Sequence, residues 1–226
     1  MGERRPEGPP DPSRRAFSVW LWRIPVLAAL AGAGFGAREV WRVHFSKAAP
    51  ADPPRFEARE PVSVAPLERF AAPWDAEAFV LAGLPCLAVR LPVAIPGSLV
   101  IAPADAAADA AADDDAATDD DAAADAAADA AADDDATVLA GFSRICTHLG
   151  CLVDLNLDPE AIAFAFNHRG DAPQLTCACH YSVFDPRRAG RVVSGPAVQP
   201  LPRVRLRLVH RDGVAMIEAD GAEPPT

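Results

Sequence analysis

The chain has 226 residues, half of them hydrophobic, and a formal net charge of −11; this length allows one ordinary domain with appendages. Thirteen of the 32 acidic residues lie between Pro103 and Ala136, and without them 19 acidic residues face 21 basic ones. The remainder is nearly neutral, so its net charge says little about partners, and nothing in the sequence indicates nucleic-acid binding. Arg203, Arg205 and Arg207 alternate as they would on one solvated face of a strand, rather than in a phosphate-binding groove.

The N-terminal region indicates export or membrane attachment. Residues 1–16 are rich in arginine and include Ser13-Arg14-Arg15-Ala16-Phe17, which is similar to the twin-arginine export motif. Residues 17–38 are mostly apolar, with Arg23 as an interruption. About 20 apolar residues cross a bilayer as a helix, so we expect a single transmembrane anchor with the rest of the chain outside the cytoplasm. A cleaved signal helix is the alternative.

The composition changes twice after this region. Residues 39–60 are rich in proline and predict a flexible hinge. Residues 61–226 contain short apolar runs separated by Pro and Gly, which predict an all-β head. An Asp/Ala-rich insert at 102–136 interrupts the head, and we expect it to be disordered because it has no apolar surface to bury. The apolar runs are 62–64, 78–82, 86–91, 98–101, 137–140, 161–166, 191–193, 204–209 and 214–218.

Two short segments bring cysteine and histidine close together, CTHLGC at 146–151 and CACHYS at 177–182. Each supplies one Cys, one His and a second Cys. Two Cys and two His suit zinc or a mixed-ligand [2Fe–2S] cluster, and two surplus cysteines suit a disulfide in an oxidising compartment. Zinc would leave Cys151 and Cys179 unexplained. Four cysteines still allow three pairings.

The charge of such a cluster indicates its chemistry. If Cys146 and Cys177 bind one iron as thiolates, and His148 and His180 bind the other as neutral imidazoles, the oxidised cluster is formally neutral. A cluster with four thiolates is negative, so the mixed cluster accepts an electron more readily and has a higher reduction potential. An imidazole also loses its outer proton more easily on ferric than on ferrous iron. The pattern therefore favours transfer of an electron together with a proton.

The two segments resemble the cluster boxes of Rieske iron–sulfur proteins of the quinol–cytochrome c reductase (cytochrome bc) type, and the likeness extends over residues 1–60 and 137–226. The resemblance implies an all-β Rieske head, made of antiparallel β-sheets with a small cluster-binding subdomain, on an N-terminal transmembrane helix. It also implies one [2Fe–2S] cluster per subunit. The implied metal ligands are Cys146, His148, Cys177 and His180.

The same resemblance implies roles for residues around the ligands. Cys151 and Cys179 would form a disulfide. Ser182 would donate a hydrogen bond to a bridging sulfide of the cluster. Gly195 and Pro196 belong to a segment similar to the family's proline loop, which shields the cluster.

The function implied by the resemblance is oxidation of quinol and transfer of the electron to a cytochrome. His180 would receive the quinol hydrogen bond at the exposed tip, with His148 as the second catalytic histidine and Leu149 in the shielding apolar contact. The implied partners are a cytochrome b-type membrane subunit and a c-type cytochrome in a dimeric complex. The implied location is the bacterial inner membrane, with one span and the head on the periplasmic side. The implied enzyme is a quinol–cytochrome c oxidoreductase.

The chain departs from the family pattern at two positions. Phe184 stands where many high-potential members have a tyrosine that donates to a ligand sulfur, which predicts a lower potential, matched to menaquinol rather than ubiquinol. Tyr181 stands where glycine is common. An alternative function is the small Rieske subunit of a periplasmic molybdoenzyme similar to arsenite oxidase. Cys86, in an apolar run, is expected to be buried and without a role in the site.

Overall fold

The structure is a computed structural model that describes residues 12–44, 46–103 and 136–225. Its two compact units comprise 1–42 and 43–226. Helix α1, Pro12–His44, covers the described residues of the first unit and ends two residues beyond its boundary. Within the described part of the chain, no helix has the length and apolar character required to cross a membrane, so the predicted anchor at 17–38 is not confirmed. Residues 1–11 of the predicted cytoplasmic region and almost all of the predicted disordered insert lie outside the described residues.

Residues 46–56, called the linker segment below, have no regular secondary structure. The structure differs from the hinge predicted at 39–60 at both ends, because α1 continues to His44 and the first strand begins at Glu57. The linker segment contacts the head: Ala48 N donates to Val198 O at 2.8 Å. Its prolines, which have no N–H group, explain why it joins neither element.

The head consists of two antiparallel β-sheets. In the first, the strands follow the order β1-β11-β10-β5-β3-β2 with β4 paired to β5, and in the second the order is β6-β7-β8-β9. The predicted all-β head with antiparallel sheets is therefore confirmed. The strands are β1 Glu57–Pro66, β2 Ala76–Leu81, β3 Leu84–Leu91, β4 Leu99–Ile101, β5 Thr137–Ser143, β6 Asp154–Asn156, β7 Gln174–Cys177, β8 Ser182–Asp185, β9 Arg191–Ser194, β10 Arg203–Arg211 and β11 Val214–Ala222.

Strand β3 is buried on both faces from Cys86 to Val89, and this explains why these four residues are all apolar. Leu87 and Val89 point into a core between the two sheets, while Cys86 and Ala88 point into a second core on the other side of the large sheet. Successive side chains of a strand alternate between faces, so a strand between two cores needs apolar residues at every position. The first core also contains residues of β7, β8 and β9 and so supports the small sheet that carries the site.

The prediction of a strand at 161–166 is wrong, because this apolar run belongs to helix α2, Pro159–Phe166. The Asp158 side chain accepts hydrogen bonds from Glu160 N at 2.9 Å and Ala161 N at 3.2 Å. A proline at the first helical position follows this cap, and both features stabilise a helix start. The helix ends at Asn167, whose φ of 49° is left-handed.

Arg203 does not lie on a solvated face, which corrects the prediction for the arginine series. Its side chain is buried and binds the Glu223 carboxylate through Nε at 2.9 Å and Nη2 at 2.7 Å. Its Nη1 donates to Pro96 O at 2.8 Å. Arg205 and Arg207 do lie at the surface, in ion pairs with carboxylates of β11. A buried guanidinium with these partners joins β10 to the C-terminus and to the loop before β4.

Replacing Glu223 with alanine should destabilise the head, because Arg203 would keep a buried charge without its carboxylate. Removing one partner of a buried ion pair costs about 3–5 kcal/mol, and the measurement is denaturant unfolding of the full chain followed by circular dichroism. The control is Asp220→Ala, which breaks an ion pair to the exposed Arg205 and should cost about 1 kcal/mol or less. Equal losses in both variants would contradict the prediction.

Candidate metal centre

The first loop of the candidate site, 146–151, connects β5 to β6. Cys146 N donates to Cys151 O at 2.8 Å, and Gly150 N donates to Cys146 O at 2.9 Å. Outside these bonds, Ile145 and Leu152 pair as an isolated antiparallel bridge. The loop is thus a closed turn, with the two cysteines at its base and His148 between them.

The second loop, 177–182, is the turn of the β7–β8 hairpin. Cys177 pairs with Ser182 across the hairpin, and Tyr181 N donates to Cys177 O at 3.0 Å. Tyr181 has a φ of 62°, a left-handed conformation that glycine adopts more easily than tyrosine. The turn leaves Cys179 and His180 exposed while the strand residues at its base stay buried.

The third loop, 194–199, follows β9 and packs on the second. Gly195 has a φ of 84°, and a side chain there would collide with the backbone of Tyr181 and Ser182. Only glycine therefore fits this close approach. Ala197 N donates to the Ser182 hydroxyl at 3.1 Å, which leaves the hydroxyl proton free for another acceptor.

Further bonds connect the first loop to the other two. Cys151 and Cys179 form a disulfide with a Cα–Cα distance of 6.5 Å, so the predicted pairing is confirmed. The Thr147 hydroxyl donates to Gln199 O at 2.7 Å, which joins the first loop to the third. Together with the Ser182 contact, these bonds connect all three loops in pairs.

The loops bring the four predicted ligands together as one pair of cysteines and one pair of histidines. Cys146 and Cys177 are buried in the same core. The rings of His148 and His180 lie 4.8 Å apart between centroids, at an interplanar angle of 85°. Burial raises the pKa of the Cys146 thiol, and the neighbouring Cys177 raises it further by a smaller amount. A bound metal reverses this effect because it binds the thiolate.

The His148 side chain shows whether the residues of this site are suited to bind a metal. Its Nδ1 is buried and has no hydrogen-bond partner within the described residues. A buried polar atom without a partner is costly and rare in proteins, and a metal ion removes the cost by accepting the lone pair. Burial lowers the pKa of His148, with smaller effects from the positive charges of His180 and Lys47. A neutral imidazole is the form that ligates a metal.

A second group of sulfur atoms lies nearby but fits a metal less well. The Sγ atoms of Cys151, Cys177 and Cys179 lie within 4.8 Å of one another. Two of these sulfurs form the disulfide, and metals in such sites bind thiolates. The donor set that remains is two cysteines and two histidines, which matches a mixed-ligand iron–sulfur cluster.

Residues 125–205 match the family model of the Rieske [2Fe-2S] domain. The chain carries a Rieske domain. Its cofactor is accordingly a [2Fe–2S] cluster, and the Cys₂His₂ donor set described above fits this group.

Curated relatives are similar over a little more than a third of the chain. A cytochrome bc1 complex Rieske iron-sulfur subunit of Streptomyces lividans is 31% identical, over 38% of this chain and 43% of the relative. A putative respiratory nitrate reductase subunit Rieske of Haloferax mediterranei is 33% identical, over 35% and 29%. A cytochrome b6-f complex iron-sulfur subunit of Cyanophora paradoxa is 33% identical, over 34% and 26%. The chain spans less than half the length of these relatives.

Among solved structures, the soluble domain of the Rieske protein II from Sulfolobus acidocaldarius is similar. It is 20% identical, with a TM-score of 0.44, over 73% of this chain and 78% of that one.

The other predicted residues occupy different environments. Leu149, predicted to shield the cluster, has 68% of its surface exposed, whereas Phe184 is fully buried in the core that also contains Cys146 and Cys177. Cys86 is fully buried, as predicted, and its thiol donates to Leu84 O at 3.3 Å, outside the site.

Two contacts at the site were not predicted from the sequence. Thr147 lies inside the first Cys/His motif, and this position marked it as a residue near the site. Its acceptor, Gln199 O, is 52 residues away in the sequence and could not be identified from the motif. Phe166 of α2 contacts the ring of Tyr181 edge to face, with 5.9 Å between centroids. No sequence signal pointed to this contact, because it depends on residues 159–166 forming a helix rather than a strand.

Replacing Cys151 and Cys179 together with serine should lower the free energy of unfolding by roughly 3–4 kcal/mol, the chain-entropy value for their separation of 28 residues. It should also speed the loss of cluster absorbance during incubation in chelator, since the first two loops lose their covalent connection. The control is Cys86→Ala, a buried cysteine outside the site, which should leave the rate of cluster loss unchanged. Equal rates for the double variant and the wild type would contradict the prediction.

Proposed function

We propose that this chain is the electron-transfer subunit of a quinol–cytochrome c oxidoreductase complex. Cys146 and Cys177 would hold one iron of the cluster, and His148 and His180 the other. The observation that carries the proposal is the different exposure of these pairs: the cysteines are buried in the core, and His180 is exposed at the turn of its hairpin. When bound, the cluster accepts one electron at a time.

The exposed side of the site suits an apolar substrate that gives up a proton. The outer nitrogen of His180 would accept a hydrogen bond from the quinol hydroxyl and take its proton, with His148 as the second histidine of the centre. Leu149 and Tyr181 expose 68% and 57% of their surfaces, and both belong to the loops that carry these histidines. Their side chains offer apolar contact to a quinol ring and exclude water from it.

The proposed partners are a cytochrome b-type membrane subunit and a c-type cytochrome in a dimeric complex. This is supported by the relatives from Streptomyces lividans and Cyanophora paradoxa, which are named as subunits of cytochrome bc1 and b6-f complexes. The disulfide between Cys151 and Cys179 supports an oxidising compartment. We therefore place the head on the periplasmic side of the bacterial inner membrane, with the region at 17–38 as its single-pass attachment and 39–60 as its hinge.

The potential of the cluster would be set by hydrogen bonds to its sulfur atoms. The Ser182 hydroxyl accepts from Ala197 N, so its own proton is free to be donated to a bridging sulfide. Phe184 lies in the same buried core as Cys146 and Cys177 but has no group to donate. One donor fewer favours a lower potential, which suits menaquinol.

The relative from Haloferax mediterranei, named a putative respiratory nitrate reductase subunit Rieske, favours a second candidate. In this second candidate function, the chain would be the small Rieske subunit of an exported molybdoenzyme similar to arsenite oxidase. Purification of the native complex separates the two functions: a b-type haem in the complex supports the first candidate, and molybdenum without a b-type haem supports the second.

The proposed function predicts proton-coupled reduction. In purified membranes, an EPR-monitored redox titration should give a rhombic Rieske signal whose midpoint potential falls at alkaline pH, because the oxidised centre then loses a proton from a ligand imidazole. His180→Ala should abolish this signal and the quinol-dependent reduction of cytochrome.

The control for that experiment is His210→Ala, an exposed histidine on β10 outside the site, which should change neither measurement. A cluster potential independent of pH up to pH 10, or full cytochrome reduction by the His180 variant, would contradict the proposed function.

Phe184→Tyr should raise the midpoint potential, because the added hydroxyl can donate to a ligand sulfur. If this hydrogen bond is about 1 kcal/mol stronger in the reduced state, the rise is roughly 40 mV for one electron. Phe142→Tyr is the control: Phe142 is also fully buried in the same core and lies on β5 of the other sheet. An unchanged potential in folded Phe184→Tyr protein would contradict this part of the proposal.

A further inference from the structure

Lys47 is the only lysine of the chain, whose other 20 basic residues are arginines. It lies in the linker segment, and its ammonium group donates to Gly195 O and Ala197 O, both at 2.6 Å. These carbonyl groups belong to the third loop of the metal centre. The next residue continues the contact, since Ala48 N donates to Val198 O. The linker segment therefore binds the loop through three hydrogen bonds.

The chemistry of the contact suits lysine better than arginine. An ammonium group is a compact charge with three donors, whereas a guanidinium is a planar fork matched to carboxylates. Two carbonyl oxygens two residues apart on a tight loop converge on a single nitrogen. Burial lowers the pKa of Lys47, which indicates that its charge is partly removed from water. The two carbonyl groups compensate for the lost hydration.

The contact of Lys47 continues toward the cluster ligands. The residue it holds, Ala197, donates its N–H to the Ser182 hydroxyl, and Ser182 pairs with Cys177 across the hairpin. The other residue it holds, Gly195, lies directly against the backbone of Ser182. A shift of the third loop would therefore move the Ser182 hydroxyl.

The charge of Lys47 also lies close to the site, since its ammonium group is held on Gly195 O and Ala197 O, and Gly195 packs against Ser182 on the hairpin that carries Cys177. A fixed positive charge near a redox centre favours the state with one more electron, and the effect is larger where water is excluded.

We propose that Lys47 is a positioning residue of the cluster site: it fastens the linker segment to the third loop and adds a fixed positive charge that raises the reduction potential of the cluster. This inference rests on the [2Fe–2S] cofactor and is independent of whether quinol is the substrate.

The test is an EPR-monitored redox titration of the purified full chain with its cluster, without quinol. Lys47→Gln keeps a donor but removes the charge, and we expect a lower midpoint potential than in the wild type. Lys47→Arg keeps the charge, and we expect a smaller decrease. Arg69→Gln is the matched control, because it removes one positive charge from an exposed ion pair with Glu77; its potential should equal that of the wild type.

Two results of this titration would overturn the proposal: a wild-type potential in Lys47→Gln, or an equal decrease in Lys47→Gln and Arg69→Gln. Neither result bears on quinol oxidation, so failure of the inference and failure of the proposed function remain distinguishable.

A second measurement uses the unmodified protein and does not depend on the folding of a variant. As the only lysine, Lys47 gives a single side-chain product with an amine-reactive ester, which peptide mass spectrometry separates from the N-terminal amine. We expect labelling of Lys47 at least tenfold slower in the folded, cluster-loaded chain than in urea, with the N-terminal amine as the internal reference. Equal rates in both states would show that the ammonium group is not held by the loop and would overturn the proposal.

Discussion

A disulfide and two side-chain hydrogen bonds connect the three loops of the metal centre in pairs, and the site depends on them because no single loop carries a complete ligand set. The loop at 146–151 brings one Cys and one His, the loop at 177–182 brings the same, and the loop at 194–199 brings none. Hydrogen bonds within the first loop hold its own turn closed, but the position of one loop relative to another is fixed only by contacts between them. The Cys151–Cys179 bond is the covalent one of these contacts.

The strands below the loops give the two halves of the site different surroundings. Cys146 follows β5 and Cys177 ends β7, so both thiols lie in the core between the sheets. His180 lies in the turn of the hairpin, where the chain reverses and solvent reaches it. A cluster held by these residues would have its thiolates in a medium of low polarity and an imidazole edge at the surface. The fold therefore places the two cysteines away from water and one histidine in contact with it.

The sequence predicted the elements whose signals are local. Both Cys/His motifs lie within six residues, and eight of the nine apolar runs fall on strands. The ninth, 161–166, was wrong because an apolar run of six residues fits a strand or a helix equally well; the capping signal of Asp158 before it decided the outcome. Arg203 follows the same alternation as Arg205, and its partners Glu223, 20 residues away, and Pro96, 107 residues away, distinguish the buried arginine from the exposed one. Partners so distant in sequence leave no local pattern.

The residues that define the centre and those that adjust it come from different parts of the fold. The proposed ligands lie in two loops whose spacing is visible in the sequence, and two cysteines with two histidines would suit a mixed-ligand [2Fe–2S] cluster. Ser182 and Phe184 lie on β8, and Lys47 lies in the linker segment. Ser182 offers a hydroxyl proton, Phe184 offers no hydrogen-bond donor, and Lys47 offers a positive charge. A hydrogen bond to sulfur is local, whereas a charge acts over several ångströms in a site that excludes water. The potential of this Rieske centre therefore depends on a segment outside the cluster-binding loops as well as on the loops themselves.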